Sequence, residues 1–466
     1  MNDERIKKRQ SLKVILSEAI MVLAVVAMVA VLAFIVSGYW VNSDFKVERQ
    51  GMIQVSSIPT GANFDIDGES SWLQRTNTSK VIASGEHTIT LTKDGYDTWT
   101  KKINISEGLL YRLHYPRLFL QDRETERVLN VAGAKMATVS PDNKTLILIN
   151  DTTEWQKINL NNKILEPQKF SIAGYFPGAN LAEGTSKGFF TGEILDYNWD
   201  QDGNHILFKI ALNNAVEWVL MDVNNAKNTI NLSQEFGATF SDVRIFDNSA
   251  NNLLAVQNGN LHKINIPNKS ISAVLVKNVI DFDHYDDEIV FSSSAQGSSD
   301  YLIGLVRADN GEATELESSN TPAKVALFKF YDDTYIALLK EASLTLYGKT
   351  DFNPISEFTL SFIPNMIKVG HDGEFVIMAN GANMATLDME ASLTREWTLE
   401  GDNYGWLDND MIHAVANGEL IVYDFDGLNR RILAKNVSDH FPITITDNIW
   451  LYYFSDGNLI REKLTQ

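Results

Sequence analysis

The sequence predicts an all-β protein preceded by a single N-terminal transmembrane helix. Residues 19–36 are all apolar, whereas after Trp40 apolar and polar residues alternate with the period of a half-buried strand. Blocks of these alternating segments recur at intervals of roughly 37–59 residues. We therefore expect, in chain order, an anchor helix, a small β-sandwich and a large array of repeated sheets.

The composition limits the classes of function. At 466 residues, the chain is long enough for two or three domains. Its formal net charge of -20 disfavours a nucleic-acid partner, because a phosphate backbone is bound by clustered Lys and Arg. The absence of cysteine from the sequence excludes disulfides, thiolate nucleophiles and cysteine-based zinc sites.

Residues 1–18 are predicted to be cytoplasmic, and residues 19–40 to form the transmembrane helix. About 22 helical residues at roughly 1.5 Å each span the ~30 Å hydrocarbon layer. The first segment is rich in basic residues, so the positive-inside rule places it in the cytoplasm and the rest of the chain outside. A cleaved signal peptide is the alternative, but the apolar run is longer than a usual signal and no A-x-A site follows it. The predicted interface side chains are Lys7, Lys8, Arg9 and Lys13 on the inner side, and Tyr39 and Trp40 on the outer side.

Residues 51–115 predict a small β module. Apolar residues alternate on both sides of Pro59-Thr60-Gly61-Ala62, which indicates two strands joined through a Pro-x-Gly turn. Asp67-Gly68 is a strong turn pair, and residues 87–92 form another alternating segment. The module is therefore expected to be built from short strands and tight turns.

This module resembles the PEGA domain. The family pattern is Pro-x-Gly-Ala, a strand ending in Asp-Gly, Gly-x-His before a strand and a Gly-Tyr turn, and all four occur here in order. The family's Gly-x-Thr-Pro is replaced by Gln74-Arg75-Thr76-Asn77, so the conformation of that loop stays open. The resemblance implies a small β-sandwich of the kind found on prokaryotic surface proteins, a structural role for His87 in its turn, and no catalysis. The residues that carry the resemblance are Pro59, Gly61, Ala62, Asp67, Gly68, Gly85, His87, Gly95 and Tyr96.

Residues 122–466 predict one structural unit used repeatedly. Each block reads as an alternating strand, a polar turn, an apolar strand, a second turn and a third strand. This period, with about four short strands per unit, is typical of a β-propeller, in which neighbouring blades cover each other's faces. Ser140-Pro141-Asp142-Asn143 resembles a corner of WD40-like and TolB-type propellers, but the Gly-His and Trp-Asp marks of true WD40 repeats are absent, so this resemblance implies architecture alone. The blocks begin near Met136, Leu195, Val243, Ile280, Ala326, Met366, Tyr404 and Ile443.

Eight blocks predict eight blades, one of which takes a strand from the other end of the array. The last block has room for three strands and then stops, and an unpaired edge there would invite aggregation. We expect Arg127–Val131 to pair with the strand around Leu459–Glu462 and complete that blade. Seven blades, with the irregular first block outside the ring, is the alternative.

The sequence contains no recognised catalytic motif, and it predicts no catalytic residue, metal ligand or cofactor. No two of the eight histidines have metal-ligand spacing, and the G-x-S-x-G, Walker, Rossmann and sialidase patterns are absent. A site assembled in a propeller funnel from several blades would leave no local motif, so an enzyme stays open. Acidic groups are interpreted as interstrand turns, with a bound calcium ion as the alternative. These groups are Asp281-Phe282-Asp283, Asp286-Asp287 and Asp332-Asp333.

One long connection, residues 166–193, is the candidate binding loop. Blade connections are usually short, and long loops are often functional. Exposed aromatic rings on a glycine-rich loop would suit stacking on a sugar or a partner protein, and the alternative is that the loop buries its rings on the array. The aromatic residues concerned are Tyr175, Phe176, Phe189 and Phe190.

Together these features predict a single-pass plasma-membrane protein with an uncleaved signal-anchor and extracytoplasmic domains in the cell envelope. Its expected partners are the membrane, through one helix, and a protein or cell-wall glycan that the propeller binds in a non-catalytic scaffold or adhesion role. The alternatives are a propeller hydrolase acting on envelope polymers and a subunit of a membrane complex.

Overall fold

The computed structural model describes residues 20–34, 39–41, 47–181, 188–295, 297, 299–349, 352–401 and 403–466. Strands make up 56% of the structure and helices 6%, which confirms the predicted all-β fold class. The chain divides into two compact units, residues 1–121 and residues 122–466.

The N-terminal segment is helical over residues 20–34, and the apolar side chains of this helix, α1, are mostly exposed. Among the described residues, none of the helices combines the length and the hydropathy that a membrane crossing requires. Residues 19 and 35–38 of the predicted 19–40 helix fall outside the described residues, and its last two residues, Tyr39 and Trp40, lie in a strand instead. The transmembrane helix therefore stays a prediction. The same holds for the inner interface residues Lys7, Lys8, Arg9 and Lys13, which also lie outside the described residues.

The described residues of the first unit form two four-stranded sheets. Their strands are β1 (Tyr39–Val41), β2 (Val47–Val55), β3 (Asn63–Ile66), β4 (Glu69–Arg75), β5 (Thr78–Ala83), β6 (Gly85–Thr92), β7 (Trp99–Ile105) and β8 (Leu110–Leu113). In one sheet β2 pairs with β1, β5 and, in parallel, β8; the other has the order β4-β3-β6-β7. Buried and exposed residues alternate strictly along β7, as the period of a strand with one core face requires.

The loop that departs from the family pattern is a tight turn between β4 and β5. Thr76 is buried, and its hydroxyl group lies 2.8 Å from the Ser57 hydroxyl and accepts a hydrogen bond from the Ala62 amide at 3.1 Å. Asn77 adopts a φ of 71°, a left-handed conformation that asparagine tolerates better than most residues. Thr76 and Asn77 therefore form the turn without the proline of the family pattern.

Within its described residues, the second unit contains eight four-stranded antiparallel sheets, here numbered 1 to 8 in chain order. A strand from the start of the unit, β9 (Thr125–Asn130), belongs to sheet 8. Sheets 1 to 4 comprise β10–β13 (Met136–Val139, Thr145–Ile149, Glu154–Asn159, Gln168–Ser171), β16–β19 (Glu193–Trp199, His205–Leu212, Ala215–Asp222, Ile230–Asn231), β20–β23 (Asp242–Ile245, Asn252–Gln257, Asn260–Asn265, Ser270–Ile271) and β24–β27 (Val279–Tyr285, Glu288–Ser294, Tyr301–Arg307, Ala313–Ser319). A hairpin of β14 (Ala179–Leu181) and β15 (Gly188–Phe190) separates sheets 1 and 2, and a five-residue helix, α2 (Leu232–Phe236), follows β19.

Sheets 5 to 8 continue the same pattern. They comprise β28–β31 (Lys324–Phe330, Asp333–Lys340, Ser343–Gly348, Pro354–Thr359), β32–β35 (Met366–Val369, Phe375–Asn380, Asn383–Asp388, Leu393–Thr398), β36–β39 (Asn403–Trp406, Met411–Ala416, Glu419–Asp424, Arg431–Lys435) and β40–β42 (Thr444–Thr446, Trp450–Ser455, Asn458–Lys463). Each of the eight predicted blocks corresponds to one sheet, and its first strand starts close to the predicted residue, for example Glu193 against Leu195.

Hydrophobic clusters join most of the neighbouring sheets. Trp155 of sheet 1 packs with Phe208 of sheet 2, and further clusters join each following pair as far as sheets 6 and 7. Tyr452 and Leu459 of sheet 8 pack with Leu146 of sheet 1, so the last sheet contacts the first. This order is consistent with a β-propeller, because each sheet has two faces and its neighbours cover both.

Strand β9 completes sheet 8 by pairing antiparallel with β42, which confirms the predicted pairing of Arg127–Val131 with Leu459–Glu462. Leu129 lies opposite Leu459, and Arg127 lies opposite Ile460. An ion pair of 2.5 Å between Glu126 and Arg461 adds to the ladder. The two ends of the second unit are therefore held in one sheet.

Candidate functional site

A cavity of about 450 Å³ opens beside the first strands of sheets 3 to 6. Residues of β20, β24, β28 and the segment around β32 line it, so four consecutive sheets contribute. Its lining carries charge, although the first strands belong to a largely apolar array. The charged or titratable lining residues are Arg244, Asp281, Asp283, His284, Lys324 and Lys368.

The prediction of a turn at Asp281-Phe282-Asp283 is wrong, because these residues lie inside β24. The Asp281 carboxylate accepts a hydrogen bond from the Val325 amide at 3.1 Å, and the Asp283 carboxylate accepts one from the Leu327 amide at 2.9 Å. Strand β28 is at the edge of its own sheet, where amides on the open side have no ladder partner. The two carboxylates take the place of that partner, and this contact outweighs the preference of aspartate for turns. Asp286-Asp287, in contrast, forms the turn after β24 as predicted.

Arg244 on β20 connects sheet 3 to these two aspartates. Its guanidinium group lies 3.1 Å from Asp242 and 3.2 Å from Asp281, and it donates to the Phe282 carbonyl group. It also lies 4.0 Å above the Phe282 ring, a favourable cation–π geometry. These contacts hold Arg244 in one position between sheets 3 and 4.

Burial shifts two neighbouring titratable groups in opposite directions. Burial of the Asp283 carboxyl group raises its pKa from 3.8 to about 6, against the lowering effect of the hydrogen bond from Leu327. Burial of the His284 ring, with a smaller contribution from the charge of Arg244, lowers its pKa to about 4. His284 is therefore neutral at pH 7, and its Nδ1 atom is buried without a hydrogen-bond partner among the described residues.

Two lysines complete the charged lining. Lys324 begins β28 and Lys368 lies in β32, and both residues are exposed. Within the part of the chain that the structure describes, neither side chain forms an ion pair or a hydrogen bond. The charge of Lys368 reaches His413 in sheet 7, where it adds to the effect of burial, and together they lower the pKa of that histidine to about 4.

A second depression of about 800 Å³ lies where β16, β20 and β24 end, and it shares His284 with the cavity. Phe246 and Tyr285 are two of its aromatic lining residues, and the Phe246 ring lies 5.2 Å from the His284 ring. The polar residues of the rim include Asp286 and Asp287. The cavity and the depression thus adjoin each other at His284.

A metal site is not apparent in the described residues, where no group of three or more His, Asp or Glu side chains is arranged to hold a metal ion. The acidic groups for which calcium was the alternative interpretation supply no such group there. Asp281 and Asp283 are instead used as acceptors by backbone amides.

The four aromatic residues of the candidate binding loop fall into two pairs. Phe176 is 3% exposed, and its ring lies 5.0 Å from the Trp155 ring; the Phe190 ring lies 5.8 Å from the same indole. These two rings belong to the cluster between sheets 1 and 2 and are not available for stacking on a ligand. Tyr175 and Phe189 are 41% and 45% exposed and remain accessible. The connection is not a free loop over its whole predicted length, because β14 and β15 pair within it. Residues 182–187 lie outside the described residues.

The motif residues of the first unit lie at turns. Gly61, Gly68, Gly85 and Gly95 all have positive φ, as does Asp67. Two contacts give the motif histidine a structural role. The two ring nitrogens of His87 lie 2.6 Å from the Asp67 carboxylate and 2.9 Å from the Ala83 carbonyl oxygen. The hydrogen bond from the Thr88 amide, and then the one with His87, lowers the pKa of Asp67. Pro59 lies in the β2–β3 connection, and Ala62 and Tyr96 are buried.

The two predicted outer interface residues form β1 with Val41. Tyr39 accepts a hydrogen bond from the Arg49 guanidinium group at 2.8 Å, and its ring stacks at 5.3 Å on Phe34 of α1. Trp40 lies opposite Glu48 in the β1–β2 ladder. Neither contact tests a position at a membrane interface.

Comparison with protein families places a PEGA domain at residues 50–116, which confirms the predicted module. A comparison with curated protein sequences gave no match. Among solved structures, PorZ, a surface component of the type-IX secretion system of Porphyromonas gingivalis, is 10% identical; the alignment covers 71% of this chain and 42% of PorZ with a TM-score of 0.41. Kluyveromyces lactis Hsv2 is 10% identical over 67% of this chain and 99% of its own, with a TM-score of 0.42. An oligogalacturonate lyase in complex with manganese is 13% identical over 57% of this chain and 88% of its own, with a TM-score of 0.37. Similarities of this size carry no inference about function.

Proposed function

We propose that this chain is a membrane-anchored envelope protein whose second unit is an eight-bladed β-propeller that binds a glycan or protein partner without catalysing a reaction. The observation that carries the proposal is the use of the cavity's carboxylates. Asp281 and Asp283 accept hydrogen bonds from the amides of a neighbouring sheet, and Asp281 also pairs with Arg244. The groups that could act on a substrate are thus engaged in holding three sheets together.

The N-terminal helix supports the anchoring part of the proposal. Side chains along α1 are apolar and largely exposed, with Leu23 at 72% and Leu32 at 55%. An apolar helix surrounded by water is unfavourable, so this surface requires an apolar environment, which a bilayer supplies. The basic residues before it favour an orientation with the N-terminus in the cytoplasm.

Hydrophobic clusters that join successive sheets from 1 to 7, and sheet 8 to sheet 1, support the propeller. A ring in which sheet 8 packs on sheet 1 leaves no open face, so the acidic second unit needs no disulfide to be stable outside the cell. A rigid ring of this kind is a suitable platform for binding, because side chains on regular strands hold their positions better than side chains on loops.

The topology is tested by protease added to intact cells. We expect cleavage of the portion that follows Phe45, with residues before the helix protected. Resistance of this portion in intact cells, together with cytoplasmic activity of a reporter fused at Gln466, would contradict the proposal.

Binding without catalysis is tested with purified protein and isolated envelope polymers. We expect the protein to sediment with the polymer fraction and the polymers to be recovered with unchanged mass. Release of fragments from the polymers that stops in the Asp281→Asn and Asp283→Asn variants would show an enzyme instead.

One observation favours that second function, catalysis in the cavity. A carboxyl group with a pKa near 6 beside a cavity has the properties of a general acid or base. Asp283 is the residue that would act, and the amide of Leu327 is the contact that opposes this role because it occupies a carboxylate oxygen. The polymer experiment above distinguishes the two functions.

A further inference from the structure

The cavity beside β24 and β28 differs in charge from the rest of the chain. The whole chain carries a formal net charge of -20, yet the cavity lining holds three cationic side chains against two carboxylates. His284 adds no charge at pH 7, because burial lowers its pKa to about 4. The lining is therefore a local cationic site on an acidic protein.

The partners of these charges show which of them are available. Arg244 is neutralised by Asp242 and Asp281, and Asp283 is directed to the Leu327 amide. Lys324 and Lys368 are exposed and have no ion pair within the described residues, so their charges are available to a ligand. Two ammonium groups without an ion pair among the described residues thus line one cavity from two adjacent sheets.

We infer that this cavity binds a carboxylate or phosphate group of an acidic saccharide, with Lys324 and Lys368 as its charge partners; this rests on the binding function proposed above. An ammonium group and an oxyanion form hydrogen bonds about twice as strong as neutral ones, so two lysines suffice to select an anion. The source of the anion can be a uronic acid or a sugar phosphate, which share this chemistry.

The size and the surroundings of the cavity favour a saccharide over an acidic peptide. A volume of about 450 Å³ is within the ordinary range for a small ligand, roughly 300–1,000 Å³. The adjoining depression supplies Phe246 and Tyr285, aromatic side chains suited to a ligand with apolar faces and polar edges, as sugar rings have. Its shared residue His284 connects the two spaces, so a chain of sugars could extend from one to the other.

The protonation state of Asp283 should modulate this binding. The groups around the Asp283 carboxylate are Arg244, Asp281, the His284 and Leu327 amides and the cavity lysines. Because its pKa is about 6, Asp283 loses its charge as the pH falls towards 5. Loss of that negative charge makes the lining more cationic, while His284 stays neutral until about pH 4. Anion binding is therefore expected to tighten between pH 7 and pH 5.5.

The experiment uses the full-length chain in detergent micelles, titrated calorimetrically with glucuronate, glucose and inorganic phosphate. Glucuronate and glucose differ only in a carboxylate, so their comparison isolates the charge. We expect glucuronate or phosphate to bind at least about tenfold more tightly than glucose, and the double variant Lys324→Gln/Lys368→Gln to lose that difference. Lys329→Gln is the matched control, because Lys329 is an exposed lysine of β28 outside the cavity lining.

The two anions identify the source, since preference for glucuronate indicates a uronic acid and preference for phosphate a sugar phosphate. Equal binding of all three probes, unchanged anion binding in the double variant, or tighter binding of a pentaglutamate peptide than of either anion would overturn the inference. Unchanged melting temperatures of the variants show that they fold. If the double variant still sediments with envelope polymers, the inference is overturned but the proposed binding function is intact. If the unmodified chain does not sediment with them, the proposed function itself is contradicted.

Discussion

At the scale of single residues, the second unit depends on a few side chains and glycines that connect neighbouring sheets. Asp281, Asp283 and Arg244 join sheets 3, 4 and 5 through backbone amides and ion pairs. Such contacts are specific in distance and charge, so single substitutions test them directly.

Asp283→Asn is expected to change the pH dependence of stability. The pKa of Asp283 is raised in the folded state, so the stability that this group contributes is fully present below pH 3.8 and is lost as the pH rises through about 6. Asparagine does not titrate and can still accept from the Leu327 amide. Between pH 4.5 and 7.5 the unfolding free energy of the variant should therefore rise relative to that of the unmodified protein by about 1–3 kcal/mol, measured by urea denaturation.

Asp286→Asn is the control, since it makes the same chemical change at an exposed turn. It is expected to alter the unfolding free energy by less than about 0.5 kcal/mol at either pH. A pH-independent difference between Asp283→Asn and the unmodified protein would contradict the interpretation of the buried carboxyl group.

Gly373→Ala is expected to destabilise the contact between sheets 5 and 6. Gly373 has a φ of 78°, and a Cβ atom there would lie 1.9 Å from the Lys329 carbonyl oxygen, so backbone must move. Gly381→Ala is the matched control, because its φ of 59° is also left-handed but nothing lies within 4 Å of the added atom. Denaturation should show a cost of about 1 kcal/mol for the control and at least ~2 kcal/mol more for Gly373→Ala. Equal costs would show that the backbone adapts.

At the scale of the strand and the hairpin, two segments have roles that the neighbouring segments cannot take over. β9 supplies the fourth strand of sheet 8, and the β14–β15 hairpin covers the cluster between sheets 1 and 2. Strand β9 covers the open edge of sheet 8, and the hairpin covers the hydrophobic face between sheets 1 and 2.

Deletion of residues 126–131 is expected to lower the unfolding free energy of the second unit by several kcal/mol. Without β9 the backbone of β42 has an open edge, and Leu129 and Val131 are lost from the cluster that joins sheets 8 and 1. Arg127→Gln is the control, because Arg127 is exposed and the substitution keeps the ladder intact. A midpoint of chemical denaturation that is the same in the deletion and the control would contradict a structural role for β9.

Phe176→Ala and Phe189→Ala separate the structural and the binding roles of the hairpin. Removal of the buried Phe176 ring should cost about 3–5 kcal/mol, whereas the half-exposed Phe189 should cost less than about 1 kcal/mol. If the exposed pair of rings binds the partner, Phe189→Ala and Tyr175→Ala reduce sedimentation with envelope polymers at unchanged melting temperature. Unchanged sedimentation in both would exclude these rings as the binding surface.

At the scale of the whole molecule, the fragment from Arg49 to Gln466 is expected to be soluble and rich in β structure. It lacks the apolar helix and β1 but retains most of the first unit and all of the second, and it contains no cysteine, so reducing agent should leave its melting temperature unchanged. Circular dichroism and scattering in detergent-free buffer test this, with the full-length chain as the comparison that aggregates. Helical content above about a fifth would contradict the strand assignment.

The repeat and the fold class could be predicted because the alternation of apolar and polar residues is visible in the sequence. The closing strand could be predicted because the last strand of sheet 8 needs a partner at its edge. Arg127–Val131 was the remaining alternating segment, and the block ending at Leu464 required a partner for its last strand. The first unit could be predicted because its turns demand particular residues, such as Asp67-Gly68.

The candidate cavity could not be predicted because its residues have no local signal. Asp281 and Asp283 resemble a turn in sequence, and their strand conformation depends on amides 44 residues later in the chain. Lys324 and Lys368 look like ordinary solvent-exposed lysines until the sheets bring them to one cavity. Phe176 and Phe189 are alike in sequence, and only packing on Trp155 distinguishes the buried ring from the exposed one.

The pairing of β9 with β42 also has a consequence for biosynthesis. Glu126 and Arg461 are 335 residues apart, so β9 leaves the ribosome long before its partner exists. At about 5–20 residues per second, the wait is roughly 17–67 seconds. During that time the nascent second unit has an unpaired edge, and any chain that terminates early keeps it permanently. Complete synthesis is thus a condition for completing sheet 8, and truncated products present an exposed strand to proteases and chaperones.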